Sequence, residues 1–242
     1  MHIQSLEHLK GAAGATGLAV IIDVFRSATV ACYAFAAGAK NILPVASLDD
    51  GRHLKHAHPD YLLMGEEACL RPEDFDYGNS PSEIRQQDLA GRTLIHATSA
   101  GTPGLNAAMD VADRVLFCSF PNIGATAAAI TAADQETVSI VAMGKAGTVH
   151  AAEDKLCAVC LGNILEGVPN IYETIPRFLR GYPTAQIFFG PTAIVPEEDF
   201  GLCLAPDTFD FFIEAKRLDD GTLSLSPFMQ NGASATPFVA KK

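Results

Sequence analysis

Short apolar runs alternate along the chain with longer segments in which apolar residues recur at helical spacing. The short runs predict strands and the longer segments predict helices. The predicted strands are Leu18–Ile22, Asn41–Val45, Tyr61–Met64, Thr93–Ala97, Arg114–Cys118, Val138–Met143 and Gln186–Phe189. The predicted helices are Ala28–Ala37, Leu48–His56, Pro81–Gln87, Gly104–Val111, Ile123–Ala133 and Ala151–Leu165.

This alternation indicates an α/β protein. We predict a largely parallel or mixed sheet flanked by helices and built from repeated strand-turn-helix units. The 242 residues fit one domain spanning positions 1–242, with two fused α/β halves as the alternative. A weak internal repeat bears on this choice, because Thr29 and Thr102 lie 13 positions before Ile42 and Val115, respectively. Duplication and the general likeness of βαβ units explain the repeat equally well.

Charge, apolar runs and cysteine content indicate which partners and locations the protein is suited to. The formal net charge of −11 argues against nucleic acid or an anionic membrane as a partner, because both favour a basic surface. No apolar run approaches the ~20 residues that span a bilayer. The first residues lack a basic segment followed by an apolar core, so we expect a cytoplasmic protein. The six cysteines are expected to be buried free thiols, and Cys157 and Cys160 lack a second pair that would complete a zinc site.

Candidate chemistry first appears where the strand Leu18–Ile22 ends. Asp23 follows that strand, and Arg26, Ser27 and Thr29 lie in the turn that begins the next helix. The free N–H groups of a helix start attract anions, and a guanidinium suits phosphate, sulfonate or carboxylate oxygens. The alternative is a helix cap with a structural Asp–Arg pair.

The loop after Met64 and the turn after His96 carry further polar groups. Glu66, Asp76 and Asn79 offer hard oxygen ligands of the kind that Mg²⁺ prefers. The hydroxyls of Ser99 and Thr102 form a candidate cradle for an oxyanion. A solvated loop followed by a helix cap would explain the first group, and we interpret the neighbouring His96 as a structural histidine.

The turn after the strand Val138–Met143 is the last candidate. Lys145 could pair with a phosphate, and Glu153 and Asp154 open the following helix. Acidic residues at a helix start are also favoured by the helix dipole alone. In open α/β sheets, ligands bind at the carboxyl ends of strands, where all of these turns lie.

In their order, these segments resemble the 2-phosphosulfolactate phosphatase family, the magnesium-dependent enzymes of coenzyme M biosynthesis and their bacterial relatives. The segments that carry the resemblance are Asp23–Thr29, Gly65–Glu67, Phe75–Pro81, Ser99–Thr102, Cys118–Asn122, Gly144–Gly147 with Glu153 and Asp154, and Phe200–Asp207. Phe75–Pro81 (FDYGNSP) is the most specific of them. Two departures concern substrate selection: Glu67 replaces an arginine of the family motif, and Ala100 replaces an asparagine.

The resemblance implies Mg²⁺-dependent hydrolysis of a small acidic phosphomonoester, 2-phosphosulfolactate or a related 2-phospho acid. Asn79 would orient a ligand or a water, and a homodimer is plausible by family likeness. The implied metal ligands are Asp23, Glu66, Asp76, Glu153 and Asp154. The implied phosphate-binding residues are Arg26, Ser27, Thr29, Ser99, Thr102 and Lys145.

Two alternatives remain open from the sequence. The altered motifs also fit a non-catalytic protein that binds a phosphorylated or sulfonated metabolite. The nucleophile could be water or Asp23 itself. Water is favoured, because haloacid-dehalogenase enzymes carry a second aspartate two residues after the nucleophile, where this chain has Phe25.

Overall fold

The computed structural model describes residues 1–229. The strands are β1 (His2–Glu7), β2 (Leu18–Ile22), β3 (Asn41–Val45), β4 (Leu62–Gly65), β5 (Thr93–Ala97), β6 (Arg114–Cys118), β7 (Thr137–Ala142), β8 (Phe211–Arg217) and β9 (Leu223–Met229). The α-helices are α1 (His8–Ala12), α2 (Ser27–Ala36), α3 (Leu48–Ala57), α4 (Pro81–Ile84), α5 (Gly101–Met109), α6 (Ile123–Ala133), α7 (Ala152–Leu165), α8 (Ile175–Leu179) and α9 (Glu197–Cys203). Short 3₁₀-helices span Phe120–Asn122, Tyr172–Thr174, Pro183–Phe188 and Gly190–Thr192.

These strands form one nine-stranded mixed sheet in the order β1-β7-β2-β6-β8-β9-β3-β5-β4. The first block, β1-β7-β2-β6, and the second, β3-β5-β4, are each parallel. The antiparallel hairpin of β8 and β9 joins them, and it reverses the strand direction between the two blocks. The predicted α/β class with a mixed sheet is confirmed.

Apolar packing covers both faces of the sheet. The alternate residues Ala19 and Ile21 of β2 belong to one core cluster, and Leu18, Val20 and Ile22 belong to a second on the opposite face. This explains why β2 is a continuous apolar run, since a central parallel strand is buried on both faces. Among the described helices, none combines the length and apolar character that crossing a bilayer requires.

Most predicted elements are confirmed to within a few residues at their ends, but the strand predicted at Gln186–Phe189 is wrong. Residues 183–188 form a 3₁₀-helix that begins at Pro183. A run of four residues cannot distinguish strand from helix by periodicity, and proline is favoured in the first helical turn. The sequence analysis also misses β1, β8, β9, α1, α8 and α9.

The six cysteines are free thiols, as predicted. Five are buried, and Cys69 is only half-buried. The cysteines of the C-x-x-C pair, Cys157 and Cys160, are buried on α7 and belong to one core cluster. Their environment is that of small apolar side chains.

Candidate active site

A cavity of about 330 Å³ lies where the carboxyl ends of β2, β4, β5 and β7 converge. Strands from both blocks of the sheet therefore contribute to one site. The lining residues are Asp23, Phe25, Arg26, Glu66, Ala68, Cys69, Asn79, Thr98, Ser99, Ala100, Gly144, Lys145, Ala146, Glu153, Asp154, Pro183, Thr184 and Ile187.

Asp23 follows β2 and is 5% exposed. Its Oδ1 accepts a hydrogen bond from the backbone N–H of Ser27 at 3.3 Å, and the N–H of Gly101 also donates to its carboxylate. Burial, together with the nearby charges of Glu66 and Glu153, raises the pKa of Asp23 to about 7. This carboxyl can therefore gain or lose a proton near neutral pH.

Asp154, in the first turn of α7, ties the ends of two neighbouring strands together. Its Oδ1 accepts from the N–H of Val24 at 2.8 Å, and its Oδ2 accepts from the N–H of Gly144 at 2.7 Å. Burial, followed by repulsion from Asp23 and Glu153, raises the pKa of Asp154 well above its usual value. A side chain at Gly144 would come within 2.2 Å of the carbonyl oxygen of Val149, so this turn requires glycine.

Glu153 and Glu66 complete the buried acidic side of the cavity. Glu153 Oε2 accepts from Thr184 Oγ1 at 2.7 Å, and burial raises the pKa of Glu153. Glu66 Oε1 accepts from Ser99 Oγ at 2.8 Å, and its Oε2 accepts from the N–H of Cys69 at 2.6 Å. Each glutamate is thus held in place by one hydroxyl from another segment of the chain.

Arg26 and Lys145 supply the positive charge in the cavity wall. Arg26 is buried, and its Nη1 donates to Asp199 Oδ2 at 2.9 Å, while its Nη2 donates to the carbonyl oxygen of Cys69 at 3.0 Å. The peptide bond between Phe25 and Arg26 is cis. Lys145 is exposed, and its ammonium forms no ion pair within residues 1–229.

Asn79 contacts a buried histidine. Its Oδ1 lies 3.1 Å from His96 Nε2, and burial lowers the pKa of His96 to about 3. The imidazole is therefore neutral, and Nε2 must carry the proton for Asn79 Oδ1 to accept it. His96 Nδ1 has no hydrogen-bond partner among the described residues. This arrangement leaves the Asn79 Nδ2 hydrogens as donors for a group in the cavity.

Not all of the predicted site residues reach the cavity. Those that line it are Asp23, Arg26, Glu66, Asn79, Ser99, Lys145, Glu153 and Asp154. Asp76 does not, because its Oδ2 accepts from the N–H of Leu63 at 2.7 Å and pairs with Lys55 at the surface. The structure therefore separates Asp76 from the other four predicted metal ligands.

Three predicted phosphate-binding hydroxyls are used within the protein instead. Thr29 Oγ1 donates to the carbonyl oxygen of Val24 and lies 2.7 Å from Ser119 Oγ. Thr102 Oγ1 donates to the carbonyl oxygen of Thr98 at 3.0 Å. Ser27 is buried, its hydroxyl accepts from Thr98 Oγ1 at 3.3 Å, and its backbone N–H donates to Asp23. These three residues lie outside the cavity lining and shape the turns that form it.

Several lining residues are absent from the predicted site. Phe25, Pro183 and Ile187 form an apolar wall, and Thr184 reaches Glu153 from the 3₁₀-helix whose last three residues were predicted as a strand. Asp199 contacts Arg26 from a part of the sequence 173 residues away. Proximity across such distances leaves no local pattern in one sequence. The acidic run that opens α9 was the only visible signal for Asp199.

The lining carboxylates are the residues that could supply oxygen ligands to a hard divalent cation. Four buried carboxylates face only two lining cations, and one of those, Arg26, already pairs with Asp199. Oxygen ligands with excess negative charge are typical of Mg²⁺, which often binds one or two carboxylates together with substrate phosphate and water. Within residues 1–229, no three acidic, histidine or cysteine side chains are already grouped closely enough to hold a metal ion.

Comparison with known proteins assigns the chain to a family. A family model described as 2-phosphosulpholactate phosphatase matches residues 3–175. A probable 2-phosphosulfolactate phosphatase of Bacillus subtilis is 34% identical over 203 residues, covering 82% of this chain and 86% of that protein. One from Thermoplasma acidophilum is 33% identical over 189 residues, covering 78% and 81%. The chain belongs to the 2-phosphosulfolactate phosphatase family.

Proposed function

We propose that this protein hydrolyses a small acidic phosphomonoester, 2-phosphosulfolactate or a related 2-phospho acid, with Mg²⁺ as cofactor. The observation that carries the proposal is the convergence of four buried carboxylates, Arg26 and Lys145 on one cavity of about 330 Å³. This volume suits a small metabolite. The names of the two relatives specify the phosphatase reaction.

The cations of the cavity would bind the phosphate. A guanidinium carries five N–H donors in a plane, and two of those of Arg26 are used by Asp199 and Cys69. The remaining donors, with the ammonium of Lys145, can hold phosphate oxygens as their charge changes during transfer. The amide hydrogens of Asn79 offer one further neutral donor.

The acidic side would hold the metal and handle the proton. Asp23, Glu66, Glu153 and Asp154 are the candidate ligands for Mg²⁺, which when bound would neutralise charge on the phosphate oxygens. In the metal-free protein the pKa of Asp23 is raised to about 7. A bound Mg²⁺ would lower this pKa, because a nearby cation favours the carboxylate, and Asp23 would then be ionised and able to accept a proton from an attacking water near neutral pH. The hydrogen bonds from Ser27 and Gly101 keep this carboxyl in one orientation.

The two departures from the family motifs differ in their consequences for the substrate. Glu67 is exposed and does not line the cavity, so its reversed charge adds no anion to the wall. Ala100 does line the cavity and is apolar where the family has asparagine. An ester with fewer polar substituents is therefore a competitor to 2-phosphosulfolactate as the preferred substrate.

The test is phosphate release from 2-phosphosulfolactate, 2-phospholactate and phosphoglycolate, each with Mg²⁺ and with EDTA. We expect turnover that requires Mg²⁺ and is lost in Asp23→Asn. The control is Asp74→Asn, which removes an exposed carboxylate paired with Arg52 and should keep full activity. If no ester is hydrolysed but one of them raises the melting temperature, the protein is a metabolite-binding protein instead.

A further inference from the structure

We infer that Asp199 is a positioning residue for Arg26, an inference that rests on the proposed role of Arg26 in binding phosphate. The guanidinium and the carboxylate meet at 2.9 Å, with side chains 4% and 0% exposed. Asp199 lies in the first turn of α9, beyond residue 175, where the match to the family model ends. The segment after that match would thus complete the phosphate-binding side of the cavity.

Asp199 is itself held rigidly. Its Oδ1 accepts from Ser80 Oγ at 2.9 Å and from the N–H of Ser82 at 3.0 Å, at the start of α4. Its Oδ2 is therefore left for Arg26. A carboxylate with three donors in fixed positions can fix the direction of the guanidinium it binds.

The neighbourhood explains why Arg26 needs such a partner. Arg26 and Glu66 both bind the backbone of Cys69, through its carbonyl oxygen and its N–H respectively. A guanidinium without Asp199 would be buried and unpaired, which is strongly unfavourable, and Glu66 is the adjacent carboxylate that it could turn to. That alternative pairing would take donors from the substrate and an anion from the metal. Asp199 prevents this by pairing with Arg26 from outside the cavity lining.

The experiment compares Asp199→Asn with Glu198→Gln. Both remove one carboxylate of an Asp/Glu–Arg pair from the same turn of α9, but Glu198 pairs with Arg85 at the surface. With the ester that the wild type hydrolyses, we expect Asp199→Asn to lower kcat/KM by about 10- to 100-fold, the range found for partners that orient functional groups at metal sites. Glu198→Gln should stay within twofold of wild type.

A merely structural role is separated by a double-mutant cycle with Arg26→Gln. If Asp199 acts through Arg26, Asp199→Asn should reduce kcat/KM less than twofold in the Arg26→Gln background. A full further loss in that background would overturn the inference, and so would wild-type kcat/KM in the folded single variant. Should Asp199→Asn fail to fold, Ser80→Ala takes its place in the cycle, with the same two outcomes.

Binding of inorganic phosphate keeps this inference distinct from the proposed reaction. Its dissociation constant can be measured by calorimetry on wild type, Asp199→Asn and Glu198→Gln without any turnover. Weaker binding in Asp199→Asn alone supports the positioning role even if none of the esters is hydrolysed. Equal binding in all three proteins would overturn it, whether or not the wild type is a phosphatase.

Discussion

Thr98 Oγ1 donates a hydrogen bond to Ser27 Oγ at 3.3 Å, although 71 residues separate the two in sequence. The bond joins the turn after β5 to the turn after β2, which belong to oppositely directed blocks of the sheet. Each turn begins a helix that crosses to the other block, α2 from β2 to β3 and α5 from β5 to β6. The cavity therefore forms where the turns that begin α2 and α5 meet, and the contacts between these two turns shape it.

Gly101 packs against both Ser27 and Asp23, so Gly101→Ala should impair the reaction. A Cβ there would lie 2.7 Å from Ser27 Oγ and 2.8 Å from Asp23 Oδ2, which forces the carboxylate to shift. Because a displacement of about 1 Å can reduce a rate 100-fold, we expect a loss of that order in kcat. Steady-state kinetics on the preferred ester would measure it.

Gly162→Ala is the matched control for this substitution. Gly162 lies within α7, and a Cβ there meets no atom within 4 Å. Alanine in a helix interior is more stable than glycine by roughly 0.5–1 kcal/mol, so this variant should be slightly more stable and fully active. An equal loss of activity in both variants would show that packing around Asp23 does not limit the reaction.

The sequence predicts the parts of this site that are local and misses those that are distant. Asp23 and Ser99 follow apolar strands, and the strand-to-helix turn itself marks them as candidates. Thr184 and Asp199 come from irregular and short helical segments after residue 180, and only the folded chain brings them to Glu153 and Arg26. The hydroxyls of Thr29 and Thr102 bind backbone carbonyl oxygens of their own turns, and a sequence pattern cannot distinguish this use from ligand binding.

The hairpin of β8 and β9 did leave a signal in the sequence. Asp220-Gly221 separates two runs rich in apolar residues, a pattern that favours a β-hairpin. Without that hairpin, the reversal between the two blocks of the sheet could not be predicted, because the parallel units on either side look alike in sequence. The family resemblance implied that residues of both blocks share one site, but no individual motif could show why the two blocks converge.

The raised pKa of Asp23 predicts that the metal-free protein loses stability as pH rises. Between its usual value of 3.8 and about 7, the folded state holds a proton that the unfolded state releases. The free energy of unfolding should therefore fall across this window and stay low above it, by on the order of a few kcal/mol. Urea unfolding in EDTA at pH 5 and pH 8 would measure the change.

Asp23→Asn should flatten this dependence, because the amide does not ionise. The stability of the variant relative to the wild type should be higher at pH 8 in EDTA than at pH 4, where the single amide oxygen leaves one of the N–H groups of Ser27 and Gly101 without its acceptor. Part of the pH dependence of the free energy of unfolding should remain in both proteins, because the pKa values of the buried acids Glu153 and Asp154 are also raised. A variant that follows the wild-type pH profile without change would contradict the assigned environment of Asp23.

The same buried charges predict that Mg²⁺ stabilises the protein mainly at high pH. A ligand that binds only the folded state adds about 2.7 kcal/mol at 100 times its dissociation constant. At pH 8 we expect Mg²⁺ to raise the melting temperature, with a smaller rise at pH 5, where protons compete for the carboxylates. NaCl at matched ionic strength is the control, and an equal effect of NaCl would mean that screening alone is observed.

Asp154 and Glu153 are adjacent, but their substitution should have unequal effects on folding. Both oxygens of Asp154 accept backbone N–H groups from other segments, those of Val24 and Gly144, whereas the Glu153 carboxylate accepts from the Thr184 hydroxyl and from its own backbone N–H. The single amide oxygen of Asp154→Asn leaves one buried N–H group without an acceptor, at a cost of about 1–3 kcal/mol. In Glu153→Gln the amide oxygen can still accept from Thr184.

Each variant removes one buried carboxylate and so relieves charge repulsion by a similar amount. That contribution therefore largely cancels when the free energies of unfolding of the two variants are compared. We expect Asp154→Asn to be less stable than Glu153→Gln by about 1–3 kcal/mol at both pH 5 and pH 8, measured by urea unfolding in EDTA. If the two variants differed in stability only at pH 8, the difference would arise from charge and not from the lost hydrogen bond. Equal stability at both pH values would show that the two hydrogen bonds of Asp154 do not hold the ends of β2 and β7 together.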